Sequence, residues 1–395
     1  MNSRYFEAHA KKHLPKPIWE YFAAGADESS ALSSSHRIYL RPRVLRDMSA
    51  IDPRTTILGS EIDFPVGIAP TGFHGLACPD GEQSTAQGIN GTGLLSTYST
   101  FSVEEIVAAA PTGLRWFQLY LHRKRTFSEQ LVRRVNALGF QALVLTVDVP
   151  YTGKRRNDIR NNYQFLKSTQ VKNFEGAFEV AENFGGYQTE YGLPPGSIDP
   201  SINWNDITWL QSLTQLPIII KGILTKEDAE LAVRHGVQGI IVSNHGGRQL
   251  DGVLPTIAAL VEVTTAVQGK IEVYLDGGIR TGNDVLKALA LGAKCVFIGR
   301  PTVWGLAYKV NITPCIQVSM IKKIEDKYLL QPSAIKNGAQ GGCTQPSQTP
   351  FSDATASCNS LPAKTEPRPA VHGLLELHFS LEEGCRRLSR PKTEP

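Results

Sequence analysis

The sequence contains few cysteines, little net charge and no long apolar run. Only six of its 395 residues are cysteine and no two form a C-x-x-C pair, which argues against a zinc site or a disulfide framework and favours a reducing compartment. The net charge of +4 is small and unclustered, so nothing indicates a nucleic-acid partner. No apolar run reaches the length that spans a bilayer, and the first 14 residues lack the apolar core of a secretory signal. We therefore expect a soluble protein.

The chain does contain a repeat of strand-like and helix-like segments. Eight apolar runs alternate with amphipathic helical patterns, and a hydrophobic content of 41% supports a sizeable core. Near-continuous apolar strands separated by helices are typical of a parallel sheet covered by helices, and eight such units close into a barrel. We therefore predict an α/β fold, a (β/α)8 TIM barrel, preceded by a helical extension over residues 5–12 and 16–24. The predicted strands cover residues 64–70, 93–99, 115–121, 142–148, 216–221, 239–245, 271–276 and 293–299.

Polar side chains lie at the ends of most of the predicted strands. Active sites of such barrels are built at the carboxyl ends of the strands, and burying unpaired charges there is costly. A single polar residue at a strand end is readily explained as solvated, but packing does not explain the convergence of so many at one rim. The residues concerned are Gln118, Tyr120, Thr146, Asp148, Lys221, His245, Asp276 and Arg300.

The most informative stretch is Ser-Asn-His-Gly-Gly-Arg-Gln-Leu-Asp at residues 243–251, which follows the apolar run 239–242. Paired glycines permit a sharp turn or a close approach to a flat ligand. The imidazole of His245 can take up a proton near neutral pH, and the guanidinium of Arg248 can hold a carboxylate. The alternative is a buried structural histidine beside a solvated arginine, and this stretch alone does not separate the two.

Two loops that combine glycine and arginine follow the last two predicted strands. Gly277, Gly278 and Arg280 follow the seventh strand, and Gly299 and Arg300 follow the eighth. Barrels of this class hold phosphate at these two loops, where backbone N–H groups face the anion. No G-x-G-x-x-G turn opens a helix after a strand, so a dinucleotide is not indicated. We expect a phosphorylated cofactor.

With these motifs the chain resembles the FMN-dependent 2-hydroxy-acid oxidases and dehydrogenases, the family that includes glycolate oxidase and flavocytochrome lactate dehydrogenase. The resemblance runs from about residue 5 to about residue 309 and carries the stretch at 243–251 unbroken. It implies oxidation of an (S)-2-hydroxy acid, medium and long chains included, to a 2-oxo acid with FMN as electron acceptor. It further implies reoxidation by dioxygen to give hydrogen peroxide, a homotetramer, and a peroxisomal role in fatty acid metabolism.

The resemblance also assigns residues to roles. It implies that His245 is the catalytic base with Asp148 behind it, and that Tyr120 and Lys221 complete the catalytic set. The implied substrate contacts are Tyr21, Tyr98, Tyr120, Arg155 and Arg248. The implied FMN contacts are Ala69, Pro70, Thr71, Ser96, Gln118, Thr146, Lys221, Ser243, Asp276, Gly277, Gly278, Arg280, Gly299 and Arg300.

The chemistry of these residues agrees with the implied roles. Neutral His245 can accept a proton, and the carboxylate of Asp148 favours the imidazolium that results. The ammonium of Lys221 would stabilise the negative charge that a flavin gains on reduction. The alternatives are that Asp148 only caps a loop and that Lys221 only snorkels to the surface. Proton abstraction and hydride transfer would use the same residues, so both mechanisms stay open.

The sequence departs from the family after about residue 309. Residues 302–308 only begin the eighth helix, so we expect an altered, incomplete last helix, a less stable barrel and weaker flavin retention. Apolar residues recur at every fourth position within 310–330, a pattern that predicts an amphipathic helix, which either covers exposed strands or is adventitious. Residues 331–395 are predicted to be a mostly disordered tail. The last three residues are not a peroxisomal address, so we expect a cytosolic location.

Three functional hypotheses therefore stay open. The first is the oxidase, and the second is the same half-reaction with an electron acceptor other than dioxygen. The third is an impaired variant that does not hold flavin and acts only as a partner in oligomers. Flavin colour in the purified protein separates the third hypothesis from the first two. Tyr98 stands where glycolate oxidases have tryptophan, so the size of the substrate also stays open.

Overall fold

Eight parallel strands close into a barrel, which confirms the predicted (β/α)8 fold. The predicted amphipathic helix at 310–330 and the predicted tail at 331–395 lie outside the described residues. The computed structural model describes residues 3–25, 38–40, 44–45, 52–88, 92–161, 171–174 and 197–308.

The barrel strands pair in chain order, and the last of them pairs with the first. Ten strands are found in the described residues, of which the first two form a separate antiparallel hairpin. They are β1 (Thr55–Ile57), β2 (Ser60–Ile62), β3 (Val66–Ile68), β4 (Thr92–Leu95), β5 (Leu114–Leu119), β6 (Ala142–Thr146), β7 (Ile218–Ile223), β8 (Gly239–Val242), β9 (Glu272–Asp276) and β10 (Val296–Ile298). Strand β10 pairs in parallel with both β9 and β3, which closes the barrel.

Several barrel strands end earlier than predicted. Strand β4 ends at Leu95 instead of residue 99, β6 at Thr146 instead of 148, and β8 at Val242 instead of 245. The chain leaves the sheet at these points because the polar residues that follow adopt loop conformations. His245, for example, has a φ of 55°, which no strand residue adopts. Asp148 and His245 therefore belong to loops above the barrel, whereas Gln118, Thr146, Lys221 and Asp276 lie within strands.

Helices connect the barrel strands. The apolar patterns at 227–233 and 284–291 predict two of them, which the structure shows as α8 (Lys226–Arg234) and α10 (Gly282–Ala290). They begin one and two residues earlier than predicted, because Thr225 and Thr281 cap them by accepting hydrogen bonds from the backbone N–H groups of Asp228 and Asp284. The helices are α1 (Ser3–His13), α2 (Lys16–Ala23), α3 (Gly81–Gln87), α4 (Val103–Ala109), α5 (Arg125–Ala137), α6 (Arg156–Arg160), α7 (Asn205–Leu213), α8 (Lys226–Arg234), α9 (Thr256–Val267), α10 (Gly282–Ala290) and α11 (Arg300–Tyr308).

Side chains fill the barrel interior, and the hairpin closes its amino-terminal end. Trp116, Tyr274 and Phe297 are buried inside, with ring centroids 5.4 to 5.9 Å apart. Ile57 and Ile62 of the hairpin pack against this cluster. The sequence analysis did not predict the hairpin, because a three-residue strand has too little periodicity to be recognised. A ligand site therefore has to lie at the opposite, carboxyl end.

The N-terminal helices pack against the last described helix. The ring of His9 on α1 contacts Tyr308 with a centroid distance of 4.6 Å, and Trp19 on α2 stacks on Trp304 at 4.5 Å. Helix α11 begins at Arg300, two residues earlier than predicted. Within the described ranges, no helix has the length and apolar character needed to cross a membrane.

Candidate active site

A cavity opens at the carboxyl end of the barrel, the place where barrels of this class bind small molecules. Residues at or beyond the ends of all eight barrel strands line it, together with the end of α2. Most of the predicted site residues lie on its wall: Tyr21, Ala69, Pro70, Thr71, Ser96, Tyr98, Tyr120, Lys221, His245, Arg248, Asp276, Gly277, Gly278, Arg280, Gly299 and Arg300. Five others contact or pair with residues of this wall: Gln118, Thr146, Asp148, Arg155 and Ser243.

His245 of the cavity wall and Asp148 form a hydrogen-bonded pair. The Nδ1 atom of His245 lies 2.8 Å from Oδ1 of Asp148. Burial raises the pKa of the Asp148 carboxyl, but the charges of His245 and Lys221 and the bond from His245 outweigh it, so the pKa is lowered overall. An ionised carboxylate only accepts hydrogen bonds, so Nδ1 carries the proton and neutral His245 has its lone pair on Nε2. Asp148 therefore does more than cap a loop.

A left-handed turn places His245 opposite Asp148. His245, Gly246 and Gly247 have φ values of 55°, 63° and 69°. Glycine adopts this region freely, whereas a residue with a side chain pays roughly 1 to 2 kcal/mol. His245 is therefore the strained residue of the turn, because the other two are glycines. The sequence analysis predicted the sharp turn but not the strain at His245.

Gly222 is a site residue that the sequence analysis missed. It follows Lys221 at an irregularity in the pairing of β7 with β8, and its φ is 118°. A Cβ atom on Gly222 would lie 2.7 Å from Cβ and 3.0 Å from Cγ of Asp148. Only glycine therefore lets Asp148 lie this close to β7, within reach of His245. A lone glycine in an apolar strand is the only sequence signal, and it also fits an ordinary bulge.

Lys221 is buried and paired. Its side chain is 4% exposed, and Nζ lies 3.0 Å from Oγ of Ser243 and 3.4 Å from Oδ2 of Asp276. A charge this deep in the protein is retained only with such partners. The alternative of a lysine that snorkels to the surface is therefore wrong.

Arg248 and Arg300 converge on the carboxyl end of α2. Nη1 of Arg248 donates to the carbonyl oxygens of Tyr21 at 2.6 Å and Ala24 at 3.2 Å. Arg300 donates from Nε to Phe22 at 2.8 Å and from Nη2 to Ala24 at 3.0 Å. The end of a helix carries partial negative charge, which these two cations offset. The alternative of a solvated Arg248 is therefore wrong, and sequence reasoning missed the carbonyl partners because backbone groups leave no trace in residue identity.

The guanidinium groups make this part of the cavity strongly positive. Burial lowers the pKa of Arg300 well below its usual value, and the charges of Arg248 and Arg280 lower it further. The guanidinium carbons of Arg155 and Arg248 lie 5.6 and 5.1 Å from the ring centroid of Tyr21. Cations that crowd each other in this way are stabilised by anions, so the arrangement favours negatively charged ligands.

Comparison with known proteins identifies the family. Residues 10–311 match the family described as FMN-dependent dehydrogenase. The chain belongs to the FMN-dependent dehydrogenase family. It is 57% identical to 2-hydroxyacid oxidase 2 of Bos taurus over 311 residues, which cover 77% of this chain and 86% of the relative. It is 48% identical to glycolate oxidase of Spinacia oleracea over 313 residues, which cover 78% and 85%.

A solved structure agrees with the fold and the family. Mandelate oxidase with (S)-2-phenylpropionate superimposes with a TM-score of 0.73 at 35% identity, covering 84% of this chain and 94% of that chain. The cofactor predicted from the resemblance, FMN, is thus confirmed at the level of the family.

Residues around the cavity fit FMN. Among the described residues, Nε2 of Gln118, Oγ1 of Thr146 and Oδ1 of Asp276 are buried without a hydrogen-bond partner, and such atoms require a partner from a ligand or water. A Cβ on Gly278 would meet nothing within 4 Å, so open space adjoins the first phosphate loop. The second loop leads into α11 at Arg300, and a helix amino terminus attracts phosphate.

Phe73, Tyr98 and Tyr120 form an aromatic part of the wall, and Phe174 packs against it. Tyr98 lies 5.2 Å from Tyr120 and 5.8 Å from Phe174 between ring centroids, and it stacks on Phe73 at 6.3 Å. Sequence reasoning named the two tyrosines but missed Phe73 and Phe174. Phe73 also has a left-handed φ of 59°, which no sequence pattern indicated. The wall offers apolar surface beside the positive region.

Proposed function

We propose that this protein oxidises an (S)-2-hydroxy acid to the corresponding 2-oxo acid, with FMN as the electron acceptor and dioxygen as the reoxidant that yields hydrogen peroxide. The observation that carries the proposal is the His245–Asp148 pair, joined at 2.8 Å in a cavity that three arginines also line. The names of the relatives, 2-hydroxyacid oxidase and glycolate oxidase, support this class of substrate. When bound, FMN supplies the two-electron acceptor.

We assign the substrate carboxylate to the arginine cluster. Arg248, Tyr21 and Tyr120 line the cavity, and we assign them to the carboxylate, with the Arg155 guanidinium 5.6 Å from the Tyr21 ring as a second cation near it. Guanidinium groups bind a carboxylate through two parallel bonds, which fixes its orientation as well as its position. The hydroxyl-bearing carbon is then held in one orientation, which supports selection of one enantiomer.

His245 then acts as the base. Its neutral ring has the lone pair on Nε2, because Nδ1 donates to Asp148. When the ring takes up a proton, the Asp148 carboxylate stabilises the imidazolium. Proton abstraction from carbon and removal of the hydroxyl proton both end with the proton on Nε2, so the assignment holds for either mechanism.

Lys221 supports the electron-accepting side of the site. Its buried ammonium lines the cavity, and a fixed positive charge in a poorly solvated site stabilises negative charge that develops nearby. We assign the same cavity wall, from Ala69 to Thr71 and at Ser96, to contacts with FMN.

Three further features are proposed on the resemblance. Dioxygen is favoured as the reoxidant because the named relatives are oxidases, and coupling of peroxide to product formation tests it. A homotetramer is expected and is tested by light scattering on the purified protein. The resemblance implies a peroxisomal location and the sequence analysis expects a cytosolic one, and fractionation of cells that express the chain separates the two.

The experiment that tests the proposed function measures products and cofactor together. The purified protein should release FMN, identified by mass, and should convert an (S)-2-hydroxy acid to one equivalent each of 2-oxo acid and hydrogen peroxide. The (R)-enantiomer at equal concentration is the control and should give neither product. Oxo acid without peroxide would favour another electron acceptor, and a folded but colourless protein would favour the inactive oligomer partner.

A further inference from the structure

A buried amide connects the segment between β6 and α7 to the loop after β4. Asn173 lies in a short 3-10 helix, Lys172–Phe174, and is fully buried. Its Nδ2 donates a hydrogen bond to the carbonyl oxygen of Thr97 at 3.1 Å, and its Oδ1 accepts one from the backbone N–H of Val103 at 3.0 Å. A carbonyl only accepts and an N–H only donates, so these two partners fix the orientation of the amide.

The first of these partners lies directly before a residue of the cavity wall. Thr97 is followed by Tyr98, which lines the cavity and is 6% exposed. The backbone N–H and the hydroxyl of Thr97 donate to Gln118, at 3.3 and 2.5 Å. The carbonyl that Asn173 binds belongs to the peptide bond between Thr97 and Tyr98, so the amide holds the backbone at the point where Tyr98 begins.

The residue after Asn173 packs against the same tyrosine. Phe174 is buried, and its ring centroid lies 5.8 Å from that of Tyr98 and 4.7 Å from that of Phe127, on which it stacks. Aromatic rings at these distances attract each other. Asn173 thus holds the backbone of Tyr98 through its side chain and places the neighbouring ring through its own backbone.

Two cationic side chains add contacts to the same short helix. Nζ of Lys172 lies 2.5 Å from Oε1 of Glu105, and Nη1 of Arg134 donates to the backbone carbonyl of Asn173 at 3.1 Å. Neither contact uses the amide of Asn173, so both stay available when that side chain is changed. We therefore expect a substitution at Asn173 to shift the ring of Tyr98 without unfolding the protein.

We propose that Asn173 is a positioning residue that determines which substituents on the substrate the active site accepts. It acts through Tyr98, whose side chain is part of the cavity wall, and the inference rests on the proposed function. Close packing of an apolar group depends on contacts that are lost when one side of the pocket moves by a fraction of an ångström. Loss of the amide should therefore weaken binding of a bulky apolar substituent, whereas binding of the carboxylate depends on the arginines.

The test measures equilibrium binding of two carboxylates that differ by one phenyl group, (S)-2-phenylpropionate and propionate. Neither carries a hydroxyl beside the carboxylate, so neither can undergo the proposed oxidation. The ratio of their Kd values isolates the contribution of the phenyl group. Titration of the full chain loaded with FMN, followed by flavin absorbance, gives both Kd values for the parent, Asn173→Leu and Asn173→Ala. Both variants lack the amide, and the leucine keeps the side chain large.

Two further variants make the test specific. Lys172→Ala is the matched control, because it removes a contact of the same short helix from a half-exposed side chain and leaves the amide in place. Tyr98→Ala tests the route of the effect. If Asn173 acts through Tyr98, Asn173→Leu should change the Kd ratio of the parent but should not change it further in a chain that carries Tyr98→Ala.

We expect the parent to bind (S)-2-phenylpropionate more tightly than propionate. Both Asn173 variants should retain FMN, keep the Kd of propionate within about twofold and raise that of (S)-2-phenylpropionate by roughly 2- to 12-fold, the contribution of one pair of aromatic rings. Lys172→Ala should change neither Kd.

Equal weakening of both ligands in the Asn173 variants would overturn the proposal, as would an unchanged ratio or a further change in the Tyr98→Ala chain. A parent without preference for the phenyl compound would also overturn it, and so would loss of FMN from both Asn173 variants. If the parent binds both carboxylates but no 2-hydroxy acid reduces its flavin, the proposed function fails while the ratio of Kd values still reports on Asn173.

Discussion

The substitution Gly222→Ala should slow catalysis because the new side chain displaces Asp148. A Cβ atom at this position would lie 2.7 Å from Cβ of Asp148, and unstrained contacts begin near 3.4 Å. Asp148 must therefore move by about 0.7 Å, the difference between the two distances. A displacement of this size along its 2.8 Å bond to His245 stretches the bond to about 3.5 Å, the limit at which a hydrogen bond is lost.

The size of the effect follows from that bond. A hydrogen bond to a charged group contributes about 1.5 to 3 kcal/mol, and each 1.36 kcal/mol on a barrier is a factor of ten in rate. Flavin reduction should therefore slow by roughly 10- to 150-fold. The φ of 118° adds a strain of about 1 to 3 kcal/mol to the folded state, so the melting temperature should fall as well.

Single-turnover reduction of the flavin by a 2-hydroxy acid, without oxygen, is the assay. Gly236→Ala is the control, because Gly236 also has a positive φ, 68°, but its nearest neighbour would lie 3.9 Å from the new Cβ. The control should lose some stability and keep the parent rate. The reasoning is refuted if Gly222→Ala folds, binds FMN and reduces it at the parent rate.

Two further predictions concern single side chains. His122 is buried, and burial lowers its pKa to about 4. As the pH falls from 6.5 towards 4, this histidine therefore takes up a proton in the unfolded chain before it does so in the folded protein. The free energy of unfolding should fall by on the order of 3 kcal/mol across that window. In urea titrations, His122→Leu should flatten this part of the curve of unfolding free energy against pH. His74, whose pKa burial also lowers, should leave a residual slope. A curve unchanged by the substitution would contradict the assignment. Arg248→Lys should raise the substrate Kd roughly 10- to 150-fold with FMN retained, because lysine cannot form the two parallel bonds, and an unchanged Kd in anaerobic titration would show that Arg248 does not bind the carboxylate.

The barrel could be predicted because its signal is spread over many residues. Eight apolar segments that alternate with helices leave few other arrangements, and polar residues such as Lys221 and His245 at strand ends then have to meet at one rim. The strand ends were overestimated, as at His245, because the strand pattern of β8 runs on into a turn that only backbone angles reveal. The β1–β2 hairpin was missed because three residues carry too little pattern.

The candidate site was predictable in its residues but not in its contacts. The stretch at 243–251 pointed to His245 and Arg248, yet their surroundings depend on groups that sequence does not mark. The carbonyl oxygens at the end of α2 hold Arg248, and the missing side chain of Gly222 makes room for Asp148. Such features arise from how distant segments pack, and no local pattern encodes them. The roles of the individual residues stay predictions.

The central claim is that His245 is the base that allows a 2-hydroxy acid to reduce bound FMN. Anaerobic stopped-flow absorbance at the flavin band, comparing the parent with His245→Gln, tests it most directly. The account predicts that both proteins bind FMN, that an (S)-2-hydroxy acid bleaches the parent, and that the variant bleaches at least about 100-fold more slowly, since a general base contributes 10² to 10⁴ in rate. Bleaching of the variant at the parent rate would contradict the account.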